Sequence, residues 1–151
     1  ELTKLSGLIK KYWENKGWES PSKEWELKLT ALIQDSMILL KDAIDQSKPF
    51  FSFSQIQREG KEFLEKNKDA RISLKYILSC LKEENISRIN EAKAREIISK
   101  ISINHSIKKG VLMRSLRVAF FGCLSGPDLI QSWELFSEKK SDITLIERCL
   151  I

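Results

Sequence analysis

Glycine, proline and histidine are scarce in this chain. Six Gly and three Pro in 151 residues are too few for a strand-and-turn sandwich, which spends such residues at every reversal. A single histidine, His105, excludes any site that needs two histidines. The three cysteines, Cys80, Cys123 and Cys149, are odd in number, widely spaced and form no C-x-x-C. That argues against a disulfide framework and for reduced, structural thiols. Apolar runs such as Met37–Leu40 and Val118–Phe121 fall far short of the roughly 20 residues of a membrane span. No basic and apolar leader opens the chain, so a cytoplasmic location without membrane attachment is expected. With 42% hydrophobic and 31% charged residues, the balance is that of a globular protein.

Acidic residues are missing from one long stretch. Net charge is +5, yet no Asp or Glu occurs between Ile97 and Pro127, which carries Lys100, Lys108, Lys109, Arg114 and Arg117. The rest of the chain is neutral in sum. A basic segment laced with apolar side chains attracts phosphate backbones, although a solvated face has the same composition.

What is present is helical periodicity. Leu5, Leu8, Ile9 and Tyr12 predict a helix from Thr3 to about Lys16, stopped by Gly17. Ser22 is placed to cap a long second helix with Trp25, Leu29, Leu32, Ile33 and Leu40 on one face, fading where Pro49 disfavours helix at Lys48. Phe50, Phe51 and Phe53 are expected in the connection that follows, plugging a gap between helices, with nucleobase stacking as the second reading. Further helices are expected over 55–67, over 70–84, and after a cap at Ser87 or Asn90. Gly110 is expected to mark a turn. Residues 112–121 then form a buried helix closed by Gly122. Gly126-Pro127-Asp128 opens the next helix, and Ser141-Asp142 caps the last. No segment alternates with period two. The expectation is an all-α bundle of short helices in two packed subdomains, 1–86 and 87–151.

Motifs for chemistry are absent. There is no Gly-rich phosphate loop and no G-x-S-x-G elbow. Cys123 is read as a packed thiol, the Glu83-Glu84 pair as solvated surface, and His105 as a surface or capping residue. No catalytic, metal-binding or cofactor-binding residue is assigned.

Residues 110–136 read GVLMRSLRVAFFGCLSGPDLIQSWELF. Leu116-Arg117-Val118-Ala119, then Gly122, then Gly126-Pro127-Asp128-Leu129, resembles the "PLRvALTG…GPdL" signature. That signature marks the C-terminal anticodon-binding domain of bacterial-type glutamyl-tRNA synthetases. Glu138-Lys139-Lys140 with 143–150 resembles that family's closing helix, and Gln34-Asp35 through Lys41-Asp42 with Phe50-Phe51 resembles its upstream stretch. The resemblance implies an α-helical cage that grips the anticodon loop of tRNA(Glu). An N-terminal catalytic domain of the same protein, bearing HIGH and KMSKS motifs, would join glutamate to that tRNA using ATP and Mg. Neither motif occurs here, so the chain is expected to be a C-terminal part, monomeric and inactive alone.

The same resemblance assigns roles by position. Arg117 falls on the arginine that contacts the middle anticodon base, a task suited to a planar fork that both stacks and hydrogen-bonds. Gly126, Pro127 and Leu129 fall on the turn that lies against the third base. Lys108, Lys109 and Arg114 are phosphate contacts by position and charge. Ser115 and Phe121 stand where the family has Pro and Thr. Many relatives place an Arg on the second helix to reject the glutamine anticodon; here Ser36 stands there, and no Arg occurs from Glu1 to Gln57. The parent enzyme is therefore expected to accept tRNA(Gln) as well. The competing reading is a helical protein-interaction module in which Trp13, Trp18, Trp25 and Trp133 supply contact area.

Overall fold

A computed structural model describes residues 1–151 as helices and turns without a strand. The all-α expectation holds. Two compact units divide at Phe53/Ser54. The sequence suggests a division at Ile86/Ser87. The helices between 58 and 83 lie instead with the later ones, because their apolar stripes are buried there. No helix is long and apolar enough to cross a membrane.

The first unit, Glu1–Phe53, holds α1 (Leu2–Asn15), α2 (Lys23–Ile33) and α3 (Asp42–Phe51). Ile9 and Trp13 of α1 and Trp25, Leu29 and Ile33 of α2 are buried. The Ser22 hydroxyl caps α2 by accepting from the Trp25 amide at 3.1 Å. The expected long second helix is divided in two. It tightens into a 3-10 turn at Gln34–Ser36, and Met37 is extended. The Asp42 carboxylate accepts from the amides of Leu39 (2.8 Å) and Ile38 (2.9 Å), which fixes the reversal. Those two bonds, the Leu39 one foremost, hold its carboxyl below the usual carboxylate range.

Phe50 and Phe51 lie within α3, not in a connection, and Pro49 sits inside that helix. Phe51 is centred 5.1 Å from each of Trp13, Trp18 and Trp25. Aromatic contacts of this kind add to an already large burial term and override the local preference of the residue before proline. Phe53 remains exposed.

The second unit, Ser54–Ile151, holds α4 (Arg58–Lys66), α5 (Lys68–Glu83), α6 (Glu91–His105), α7 (Lys109–Phe121), α8 (Leu129–Glu138) and α9 (Asp142–Glu147). Helix α5 packs on α4, α6, α7 and α9, burying Ala70, Leu74, Ile77 and Leu81. Asn90 caps α6 by accepting from the Lys93 amide at 2.8 Å. The α6–α7 turn is made by Ser106, left-handed at φ 54°, and Gly110 lies inside α7 instead. Most of α7 is buried, including Leu116, Val118, Ala119, Phe120 and Phe121. Ser115 fits this setting by donating to the Val111 carbonyl at 2.7 Å.

Two glycines set how α4 meets the end of α7. Gly122 is left-handed at φ 77°, and a Cβ there would overlap the Gln55 carbonyl oxygen. A Cβ on Gly60 would stand 2.6 Å from the Gly122 carbonyl oxygen. That same oxygen accepts from the Gln57 amide at 2.8 Å. Arg148 draws distant parts together, donating to the carbonyls of Ser54 and Ala119, the latter at 2.7 Å. Asp142 is buried and accepts from Trp133 Nε1 at 3.1 Å. Burial pushes its carboxyl above the usual range.

Substituting Gly122→Ala is expected to destabilise the protein by about 3 kcal/mol, through both strain and overlap. Gly110→Ala, where a Cβ meets only the Arg114 side chain at 3.6 Å, should be neutral or stabilising by up to about 1 kcal/mol. Urea unfolding distinguishes the two. A carboxyl raised by folding contributes fully below its unfolded value of 3.8 and loses that contribution as pH climbs through the folded value. Asp142→Asn keeps an oxygen for Trp133. Its stability relative to the unaltered chain should therefore rise as pH climbs above about 4.

Candidate nucleic-acid interface

Sequence places the candidate base-reading residues in and beside a seven-residue loop, 122–128, between α7 and α8: Gly126 and Pro127 within it, Arg117 before it and Leu129 after it. Each bend of that loop has a physical cause. Gly122 ends α7, and its amide donates to the Val118 carbonyl at 2.8 Å. The Leu124 amide donates to Glu59 Oε1 of α4 at 3.2 Å. Gly126 adopts φ 148°, and a Cβ there would stand 2.9 Å from the Phe121 ring. Asp128 is the cap of α8 and accepts from the Gln131 amide at 2.9 Å. Pro127 therefore precedes the cap and does not occupy the first helical turn; its rigid φ aims the chain into the helix.

Arg117, on α7, donates from Nη1 to the Pro127 carbonyl at 2.9 Å. Two residues singled out separately along the sequence are thus joined by a hydrogen bond. Arg117 is half-buried and makes no ion pair with a carboxylate; its other N–H groups have no protein acceptor. The loop carries Gly126 exposed and Pro127 half-buried beside it. A charged fork, a proline ring and unencumbered backbone meet here, a combination suited to an unstacked base.

Leu129 differs from the expectation of an apolar contact. Its side chain is 1% exposed and belongs to the core, because it is the first helical residue and turns inward with Ile130. It anchors the first turn of α8 in the core.

Arg114 is exposed on the Arg117 face of α7, one turn earlier. Its Nε donates to the Gly110 carbonyl at 3.1 Å, and its guanidinium carbon stands 5.4 Å from the Phe63 ring centre. Lys108 and Lys109 are exposed at the start of α7, about 12 Å along the helix axis from Arg117. Lys109 lines a groove of about 160 Å³ with Arg95, Ile98, Met113 and Ile130, which brings the start of α7 beside that of α8. Arg95 is already bonded to Glu91 at 3.1 Å. The acid-free stretch does not lack partners throughout: Lys100 reaches Glu84 across the α5–α6 turn at 3.8 Å. Ser36 belongs to the other unit, exposed, donating to the Ile33 carbonyl at 2.9 Å and lying 3.1 Å from Gln46 Oε1.

Sequence reading did not assign Glu59, Phe63 or Gln55, which brace the loop and Arg114. The one available signal was Gly60, a glycine inside an otherwise helical pattern, whose cause is close packing. Trp13, Trp25 and Trp133 are buried, and Trp18 stacks on Phe51 at 8° between planes. The tryptophans thus supply cores, and the interaction-module reading loses its contact residues. No three His, Cys, Asp or Glu side chains are grouped so as to hold a metal ion.

A model of the anticodon binding domain family matches residues 4–142. A glutamate–tRNA ligase of Prochlorococcus marinus strain MIT 9515 is 75% identical over 151 residues, which is 100% of this chain and 32% of that protein. The corresponding ligase of strain NATL2A is 42% identical over 148 residues, 98% of this chain and 31% of the relative. The chain thus spans about a third of the length of the curated relatives it matches. A crystal structure of a glutamate tRNA ligase from Elizabethkingia meningosepticum superposes with a TM-score of 0.84 at 19% identity, over 99% of this chain and 29% of that one. At that identity the likeness speaks for the fold.

Arg117→Ala should cost only about 1–2 kcal/mol of stability in thermal or urea unfolding, the worth of one charge-assisted bond to a carbonyl. The variant remains folded and usable in binding measurements.

Proposed function

This chain belongs to the anticodon binding domain family, and on that basis we propose that it grips the anticodon loop of tRNA(Glu) for a glutamate–tRNA ligase. In this reading the chain is the C-terminal part of such a ligase. The catalytic part, with its ATP and Mg, lies in the N-terminal remainder of the protein, and the whole acts as a monomer in the cytoplasm. The chain's own residues then supply recognition and no reacting group.

The observation that carries the reading is the Arg117–Pro127 hydrogen bond at the exposed entry to α8. One guanidinium N–H is spent on holding the turn. The remainder of the fork is held in place for a splayed base, whose face can lie on Pro127. Preorganisation matters because every rotor frozen in advance reduces the entropy lost on binding. Gly126 keeps the backbone bare where the RNA approaches. Arg114, Lys108 and Lys109 add sequence-independent attraction for phosphates.

Ser36 bears on specificity. A serine hydroxyl engaged with the Ile33 carbonyl cannot replace an arginine fork at a base edge. With no Arg from Glu1 to Gln57, the first anticodon base is left unscreened, and the ligase accepts tRNA(Gln) beside tRNA(Glu).

Filter-binding titration is the test. The chain should bind tRNA(Glu) with affinity that falls steeply as salt rises, while Arg117→Ala weakens binding by about 1–3 kcal/mol. Absence of binding, or an unchanged affinity in the folded variant, overturns the assignment. Comparable affinity for tRNA(Gln) is expected, and a large preference for tRNA(Glu) sinks the relaxed specificity.

A further inference from the structure

The only histidine of the chain is not a cap or an isolated surface residue. The His105 and Tyr76 rings lie 3.6 Å apart, centre to centre, at 10° between planes. His105 is exposed at the end of α6, and Tyr76 is half-buried on α5. Ile72, one turn before Tyr76 on the same face of α5, is 41% exposed. The buried seam of α5 and α6 is made by Ile77 and Leu81 with Ile97, Ile98 and Ile101, and the stacked pair lies at its solvent edge. A stacked pair at the surface leaves the outer face of the imidazole ring open to solvent.

The segments that carry the pair are free of acids between Asp69 and Glu83 on α5 and beyond Glu96 on α6, through Pro127. Lys75 precedes Tyr76 and Lys108 follows His105 by three residues; both are exposed and neither pairs with a carboxylate within 4.0 Å. An open aromatic face between unpaired cations is the arrangement by which proteins hold single-stranded nucleic acid. The base stacks and its phosphates meet the lysines.

We propose that the Tyr76–His105 stack is a second RNA platform of this chain, on which an unpaired nucleobase of the bound tRNA lies against the outer face of His105, its phosphates near Lys75 and Lys108. This rests on the reading that the chain binds tRNA. It differs in being blind to the anticodon sequence, since every base has a stacking face.

Binding of tRNA(Glu), and of the same tRNA with an altered anticodon, is measured on the full 151-residue chain, on His105→Ala and on His105→Phe. The platform predicts about a 10-fold loss of affinity in His105→Ala for both RNAs alike, and near-complete retention in His105→Phe. The ring resonance of the single His should also move upfield when the unaltered chain is titrated with tRNA. An unchanged affinity in His105→Ala, with binding still lost in Arg117→Ala, overturns the platform and leaves the anticodon reading standing. Loss confined to the tRNA with its native anticodon, or an equal loss in His105→Phe, also overturns it. If the unaltered chain binds no tRNA, both fall together.

Discussion

The second unit depends on one close approach, that of Gly60, Gly122 and the Gln55 carbonyl. Where α4 meets the end of α7, the backbones come closer than any side chain permits. The gain is order in a loop. With Gly122 left-handed and its carbonyl bonded to the Gln57 amide, the chain leaves α7 in a fixed direction. Glu59, one residue before Gly60, then reaches the Leu124 amide. Two turns of backbone without side chains thus place Pro127 where Arg117 meets it. The geometry of the Arg117–Pro127 contact follows from a packing constraint about five residues away.

Charge and packing are separated along α7. One side of the helix supplies Leu112, Leu116 and Phe120 to the core, while Val118, one turn after Arg114, packs toward Gly60 of α4. The other supplies Arg114 and Arg117, each tied to a carbonyl oxygen and neither to a carboxylate. A carbonyl orients a guanidinium without neutralising it. That distinction is what allows a structural bond and an attraction for phosphate to coexist in one residue.

Much of this was legible in the sequence, because helices announce themselves through burial at a 3.6-residue period. Leu74, Ile77 and Leu81 were sufficient to place α5, and Asn90 and Gly122 to place two of the helix ends. What was not legible depended on partners distant in sequence. The second helix divides because Asp42 captures two amides before it, and Pro49 stays helical because Phe51 must reach three indoles. Gly110 misled because a serine, Ser106, takes the left-handed position. At the site, Arg117, Gly126 and Pro127 could be named from a motif, whereas Leu129 belongs to the core that the motif rests on. Glu59 and Phe63 bear no local mark of their roles.

The bonds of Arg148 carry a consequence for how the unit comes into being. Its guanidinium reaches Ser54, 94 residues earlier, and Ala119, 29 earlier. Burial lowers its pKa, and its Nε is buried without a partner, so the residue gains its place only once the surrounding carbonyls are assembled. Closing so long a segment carries a loop entropy that short helical contacts do not. Helices α4 to α7 follow one another in sequence, whereas the tie between the segment at Ser54 and Arg148 spans nearly the whole unit. The Ser54–Arg148 bond is therefore a long-range tie laid over a loop whose direction is already set by the Gln57–Gly122 and Leu124–Glu59 bonds.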